Sequence, residues 1–271
     1  MYKLISTDLD GTLIPFLKTI TDETSTIVKD LLDKGVLIVP NSGRCLGALD
    51  EKIMDCNFKY IICANGSCVM DMQNKKAIYE AYIDNKEAGD IFEYMMTFNE
   101  ATLAFIDNVF VSDTRIKTIN DNSPYSFMSD TIVYYDNLPE KIRNGFGHIQ
   151  KLVIRCHSDK RLRYQELIKN RFPDVSCTSS GKENIEISDH NATKDKGLIK
   201  LCEYLNINLD EVIVMGDNDN DLSVLSLGCY NIVPSNGNDN AKKIASIITD
   251  TCENGGPIKM IRKMYEEGKI V

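Results

Sequence analysis

The chain has 271 residues, 43% hydrophobic and 26% charged, and its 31 Lys+Arg against 40 Asp+Glu give a formal net charge of −9. That usage excludes wholesale disorder and a membrane-embedded body, and the length suits one large domain or two small ones with a full hydrophobic core. An acidic balance with no lysine- or arginine-rich run argues against a sequence-independent grip on nucleic acid or on an anionic membrane.

Leu4 to Thr7 reads as a short strand. Thr21 can cap a helix whose Ile27, Val28, Leu31 and Leu32 recur at three- and four-residue spacing, and Gly35 can end it. Val36–Val39 is a continuous apolar run of the kind found in a strand buried on both faces of a parallel sheet, which completes a βαβ unit. Tyr60–Cys63 repeats the pattern, and Asn65-Gly66 is a two-residue turn signal leading into Cys68-Val69-Met70. Between about residues 84 and 188 the rhythm changes. A helix face of Ile91, Phe92, Met95 and Met96 is followed by short strands at Leu103–Ile106, Val109–Val111, Leu152–Ile154 and Ile185–Ile187. A mixed block of this size points to an inserted α+β cap. The α/β rhythm then returns with a helix carrying Leu198, Leu201, Cys202 and Leu205, a strand Val212–Met215, a helix with Leu222 and Leu225, and a strand at Asn231–Val233. The expected layout is a discontinuous core, 1–83 and 189–271, around a cap of 84–188.

The nine scattered cysteines contain no C-x-x-C pair, and three distant histidines offer no zinc helix, so reduced core thiols are expected. The amino terminus enters Lys3–Thr7 without a basic segment and apolar signal core, and no apolar stretch approaches the about 18 residues of a membrane span. A cytoplasmic protein is expected, monomeric or a weak homodimer.

The chemistry gathers at predicted strand ends. In Asp8-Leu9-Asp10-Gly11-Thr12 the two aspartates are two residues apart in extended backbone and can face one side. Gly11 permits a sharp exit and Thr12 adds a hydroxyl. A turn or part of a calcium loop would also fit this stretch alone, but Thr19 stands where a calcium loop carries its bidentate glutamate. Ser42 and Gly43 follow the second strand, Gly216-Asp217-Asn218-Asp219-Asn220-Asp221 follows Val212–Met215, and Lys196 precedes the helix leading into that strand. Ligands of an open parallel sheet bind beyond the carboxyl ends of its strands, so one site accounts for all of these. Asp8, Asp10, Asp217 and Asp221 crowded together call for a hard divalent cation such as magnesium, with Lys196 as a second positive charge facing a phosphate dianion.

These residues resemble the haloacid dehalogenase superfamily of phosphohydrolases, and the insertion resembles the large cap of its Cof-type subfamily. The resemblance covers the whole chain through Asp-Leu-Asp-Gly-Thr, Asn41-Ser42-Gly43-Arg44, Asn65-Gly66, Lys196-Gly197 and Gly-Asp-x-x-Asn-Asp in family order. It implies a Rossmann-like, doubly wound parallel sheet with an inserted cap. It also implies a magnesium-dependent phosphatase acting on small phosphorylated metabolites through an aspartyl-phosphate. By the resemblance Asp8 is the nucleophile and Asp10 the acid and base. Ser42 and the backbone at Gly43 and Leu9 hold phosphoryl oxygens, Lys196 binds the same group, and Thr12 supports the site. Asp8, the Asp10 carbonyl and Asp217 ligate magnesium, Asn220 touches phosphate, and Asp221 orients the metal shell or Lys196. The partner implied is a small phosphomonoester.

Asn218 stands where some relatives carry Glu, and Asn231–Gly237 replaces a small-residue stretch near the site. Arg44 reads more simply as a surface ion pair, and Asn65 as a turn former. In the cap, Lys182-Glu183-Asn184, His157, Tyr125, Phe127, Tyr134 and Tyr135 have ordinary loop, strand and packing readings. Two other activities fit parts of the pattern. A phosphomutase would use the same aspartates. A non-enzymatic phospho-ligand sensor would have little use for Asp10 or for a cap.

Overall fold

The structure is a computed structural model that describes residues 1–16, 18–122, 131–179 and 181–271; Tyr125 and Phe127 lie outside the described residues. The chain parts into two compact units. One comprises Met1–Arg44, Ala48–Glu80 and Thr193–Val271, the other Cys45–Gly47 and Ala81–Ala192.

The strand Leu4–Thr7 is buried along its whole length because it has a parallel neighbour on each edge, Val212–Met215 on one side and Ile38–Pro40 on the other. The five-stranded sheet runs in the order Ile247–Thr249, Tyr230–Pro234, Val212–Met215, Leu4–Thr7, Ile38–Pro40, all parallel. From the first strand the chain steps outward to Ile38–Pro40 and later returns on the other side at Val212–Met215. That reversal of direction makes the crevice above Leu4–Thr7 the place where such a sheet receives a ligand. This is the doubly wound architecture expected, with an α+β insertion.

Local chemistry explains the boundaries. The Thr21 hydroxyl accepts from the Thr24 N–H and caps the helix Asp22–Asp33. At its far end the Val36 N–H is spent on the Leu31 carbonyl, with Gly35 at φ +89° in the left-handed region. The second strand therefore runs Ile38–Pro40 rather than Val36–Val39. Tyr60–Cys63 and Cys68–Asp71 pair antiparallel, but the tip between them is broader than a two-residue turn: Ala64, Asn65 and Gly66 all have positive φ. A third strand, Lys76–Glu80, completes this small sheet.

In the inserted unit a six-stranded sheet has the order Val175–Thr178, Asn184–Asp189, Ile149–Arg155, Ala101–Ile106, Val109–Asp113, Val133–Tyr135. Its apolar face, including Ala104, Leu152, Ile154, Ile185 and Ile187, packs with Ile91, Phe92 and Met95 of the helix Asn85–Met96. The helix Ser158–Arg171 has no counterpart in the sequence reading, because among its residues Ile168 alone is buried and it carries almost no apolar period. Among the described residues no helix is long and apolar enough to cross a membrane.

The helix Lys194–Leu205 matters most for the site. Leu198, Leu201 and Cys202 bury one face of it against Ile62, Val69, Val212 and Val214. Two such leucines contribute roughly 2 kcal/mol each, enough to offset part of the several kcal/mol that burying one lysine costs. The start of the helix is pressed onto the hairpin tip, where a Cβ on Gly66 would fall 2.1 Å from the Thr193 carbonyl oxygen at a φ of +94°. Gly66→Ala should therefore cost about 2–4 kcal/mol, adding overpacking to left-handed strain. Urea unfolding measures it, and a loss below about 0.5 kcal/mol, the scale of a neutral surface change, would mean that the contact is not fixed.

Candidate active site

Asp8 leaves the first strand at its carboxyl end, where its N–H is still tied to the Met215 carbonyl at 2.9 Å. Its carboxylate is buried, and its Oδ1 receives the Nζ of Lys194 at 2.5 Å. The same ammonium reaches Asp221 Oδ1 at 2.6 Å. Lys194, not Lys196, is thus the cation of the site. The reason is helical geometry: Lys194, Leu198, Leu201, Cys202 and Leu205 share one stripe, whereas Lys196 lies two residues on, about 200° around the axis. Lys196 is half-buried, Lys194 1% exposed. The Asn41 amide donates to the Lys194 carbonyl at 3.0 Å and pins the first turn.

The acidic loop after Val212–Met215 folds back on itself. Asp221 Oδ2 accepts from the N–H groups of Asp217 (2.9 Å) and Asn218 (3.0 Å), so with Lys194 on its other oxygen both oxygens are engaged. Gly216 is needed beside it, since a Cβ there would meet the Asp221 carboxyl carbon at 2.7 Å. Asp217 Oδ1 accepts from the Thr12 hydroxyl at 2.8 Å, which places Thr12 as the residue orienting Asp217. A Cβ on Gly11 would sit 2.5 Å from Asp217 Oδ2.

Carboxylate oxygens of Asp8, Asp217 and Asp221 lie within 4.8 Å of one another. Burial pushes Asp217 up to about 7, with the Asp221 charge adding to it and the Thr12 hydrogen bond opposing. Burial likewise pushes Asp8 well above the carboxylate range against the pull of Lys194. Burial acts to lower Lys194, but the Asp221 and Asp8 carboxylates together outweigh it and hold the ammonium above its ordinary value. Three carboxylates around one ammonium leave excess negative charge in a dry place, and a hard cation relieves it. The donor set fits such an ion: among the described residues, Oδ2 of Asp8 and Oδ2 of Asp217 accept no hydrogen bond, whereas both Asp221 oxygens are occupied. Asp8 and Asp217 are then the side chains open to a metal, with Asp221 holding the lysine.

Asp10 is turned away from this cluster. Its two oxygens receive Nε (2.7 Å) and Nη2 (2.6 Å) of Arg44, a bidentate fork in a half-buried setting, and Arg44 also reaches toward Asp50 at 3.6 Å. The ion pair expected for Arg44 exists, but its partner is the acidic residue of the motif itself. Ser42 is fully buried; its Oγ accepts from the Arg44 N–H at 3.1 Å, which leaves its own O–H able to donate. The Leu9 N–H meets no acceptor among the described residues. The Gly43 backbone follows Ser42 in the same loop. Asn220 bonds the Asn65 side chain at 3.4 Å, tying the acidic loop to the hairpin tip, and makes no hydrogen bond to Asp8 or Lys194.

Asn236 belongs to the Asn231–Gly237 stretch placed near the site, and Asn238 stands just beyond it. Asn236 donates to the Gly11 carbonyl at 2.8 Å while its oxygen accepts from the Cys252 N–H, and the Asn238 N–H donates to the Asp217 carbonyl at 2.8 Å. They clamp the Gly11 and Asp217 loops from the end of the neighbouring strand Tyr230–Pro234. Asn218 accepts from the Asp219 N–H and the Asn238 amide, so its side chain caps the acidic loop.

A sequence profile of the haloacid dehalogenase-like hydrolases matches residues 5–261, nearly the whole chain and all the loops just described. The chain belongs to this family. This haloacid dehalogenase-like hydrolase is 28% identical over 264 residues to 5-amino-6-(5-phospho-D-ribitylamino)uracil phosphatase YcsE of Bacillus subtilis, covering 96% of this chain and 94% of that one. It is 24% identical over 290 residues to phosphatase YwpJ of the same organism, covering 97% and 99%. Its fold matches a HAD/COF-like hydrolase from Plasmodium vivax with a TM-score of 0.85 at 22% identity, covering 98% and 96%.

Removing one partner of a buried ion network strands the others, so Lys194→Ala should cost about 3–5 kcal/mol. Lys196→Ala should stay within about 1 kcal/mol of the wild type. Urea unfolding of both variants at neutral pH compares them; equal losses would remove Lys194 from its assigned place.

Proposed function

We propose that the chain, a phosphatase of the haloacid dehalogenase-like hydrolases, releases phosphate from small phosphorylated metabolites with magnesium and through an aspartyl-phosphate on Asp8. The observation that carries this reading is the buried Asp8–Lys194–Asp221 triad beside Asp217, a carboxylate held next to a fixed cation at the mouth of a parallel sheet. Relatives named as phosphatases along their full length support it. One of those names a phosphorylated small molecule, the class of substrate proposed here.

Asp8 would supply the carboxylate oxygen that attacks phosphorus, with Lys194 held against its Oδ1. Lys194, the Ser42 hydroxyl and the Leu9 and Gly43 N–H groups would hold the phosphoryl oxygens, on which charge gathers during transfer. Magnesium, held by Asp8, Asp217 and the Asp10 carbonyl, would screen the negative charge of the phosphate from the carboxylates. Asp10 would protonate the departing alcohol and then take a proton from the attacking water. To do so its carboxyl must leave the Arg44 fork, so Arg44 is a positioning residue that sets where Asp10 rests. The inserted α+β unit would select the alcohol.

A panel of phosphomonoesters with magnesium tests this. Phosphate release should vanish on chelation, return with added magnesium, and be absent from Asp8→Asn. Asp10→Asn should be slower by about 100- to 10,000-fold, the usual worth of a positioned acid and base, and should accumulate protein heavier by one phosphoryl group. No release from any ester, or release undiminished in Asp8→Asn, would defeat the reading. Conversion of a hexose 1-phosphate to the 6-phosphate without free phosphate would make the chain a mutase.

A further inference from the structure

Cys63 and Cys68 end the two strands of the small hairpin and are register partners across it. Directly opposed residues of an antiparallel pair have Cα atoms about 4.5–5.5 Å apart with side chains on one face, inside the roughly 4.4–6.8 Å that a disulfide spans. The Cys63 thiol donates to the Cys68 carbonyl at 3.6 Å. A hydrogen bond from Cys63 also holds the Cys68 thiol below its ordinary value, against burial and the Glu80 charge. Cys177, the other cysteine within a paired strand, lies opposite Ile187 instead.

The segment between the two thiols is built into the site. Ala64, Asn65 and Gly66 are all left-handed, which for a residue with a Cβ is strained and must be offset by contacts. Those contacts run to the catalytic loops. The Ala64 N–H donates to the Arg44 carbonyl at 2.8 Å and the Asn65 N–H to the Ser42 carbonyl at 3.0 Å. Asn65 accepts from Asn220, and Gly66 lies against the Thr193 carbonyl, one residue before Lys194. These contacts join the hairpin end to the backbone at Ser42, Arg44 and Thr193, next to Lys194.

We propose that Cys63 and Cys68 form a reversible disulfide under peroxide, and that the altered hairpin tip then slows the hydrolase. The Cys68 thiolate attacks one peroxide oxygen, the O–O bond breaks, and the departing oxygen takes a proton and leaves as water, giving a sulfenic acid. The Cys63 sulfur attacks that sulfur, the S–O bond breaks, and a second water leaves with the Cys63 proton. The two sulfurs together lose two electrons and the peroxide gains them. A dithiol reductant reverses the step by exchange.

The test is titration of the full chain with hydrogen peroxide, followed by alkylation and mass analysis of the tryptic peptide 60–75. That peptide should lose both alkyl labels and become lighter by two hydrogens, while the other cysteines keep their labels. Phosphate release should fall in step by roughly tenfold, since a displacement of the order of 1 Å at a positioned group can cost about 100-fold. Dithiothreitol should restore both. Cys68→Ala should keep its activity at peroxide levels that slow the wild type, with Cys63→Ser as a second variant should alanine weaken the strand. Only the activity arm rests on the phosphatase reading; the labelling arm stands without it. Full labelling of both cysteines after peroxide, a linked peptide with unchanged release, or variants slowed as much as the wild type would each overturn the proposal.

Discussion

A single ammonium group buried among carboxylates organises the catalytic unit. Lys194 is 1% exposed, and it can be so only because Asp8 and Asp221 each give it an oxygen within 2.6 Å. Burying an ion costs several kcal/mol unless such partners are fixed, so the elements that carry them must be fixed as well. Asp8 is held by the first strand, Asp221 by a loop closed on its own N–H groups, and Lys194 by a helix whose leucines pack on the sheet. The burial of hydrocarbon thus stabilises a polar arrangement that could not stabilise itself.

The arrangement is unbalanced by design of its charges. With Asp217 beside the pair, one cation faces three carboxylates, and burial, with the neighbouring carboxylate charge adding to it, raises Asp8 and Asp217. A site in that condition is suited to a guest that brings positive charge and then to a phosphate that brings negative charge back. Asp10 stands apart from the crowd because Arg44 neutralises it separately. Two acidic residues only two positions apart in sequence therefore have different surroundings, the condition under which two carboxylates can take different chemical roles.

Some of the site is invisible to a reading by motif. Lys194 and Lys196 both stand in the first turn of the same helix, and proximity to Gly197 favours the wrong one. The stripe Leu198, Leu201, Leu205 projected back one turn passes through Lys194, so the signal is present in the periodicity. Arg44 offers no such signal, because its partner depends on how the loop after Ile38–Pro40 turns over the loop after Leu4–Thr7. Asn236 and Asn238 act through side-chain and backbone bonds to Gly11 and Asp217, more than 15 residues away in sequence, and amides of that kind are common in plain turns. The helix Ser158–Arg171 escaped for the opposite reason, since a helix with one buried residue has no pattern to read.

From the chain alone one reads the parallel sheet, the insertion, the position of Asp8, Ser42 and Asp217 just after strand ends, and the family. All of these follow from local patterns: continuous apolar runs for strands buried on two faces, and motifs whose residues stand next to one another. Which lysine meets Asp8, whose guanidinium holds Asp10, and which carboxylates keep an oxygen open are settled only by tertiary structure. Each depends on the direction a side chain takes from its helix or loop and on competition among several donors for a few buried oxygens. That competition is resolved by packing across segments up to some two hundred residues apart, where sequence spacing carries no information.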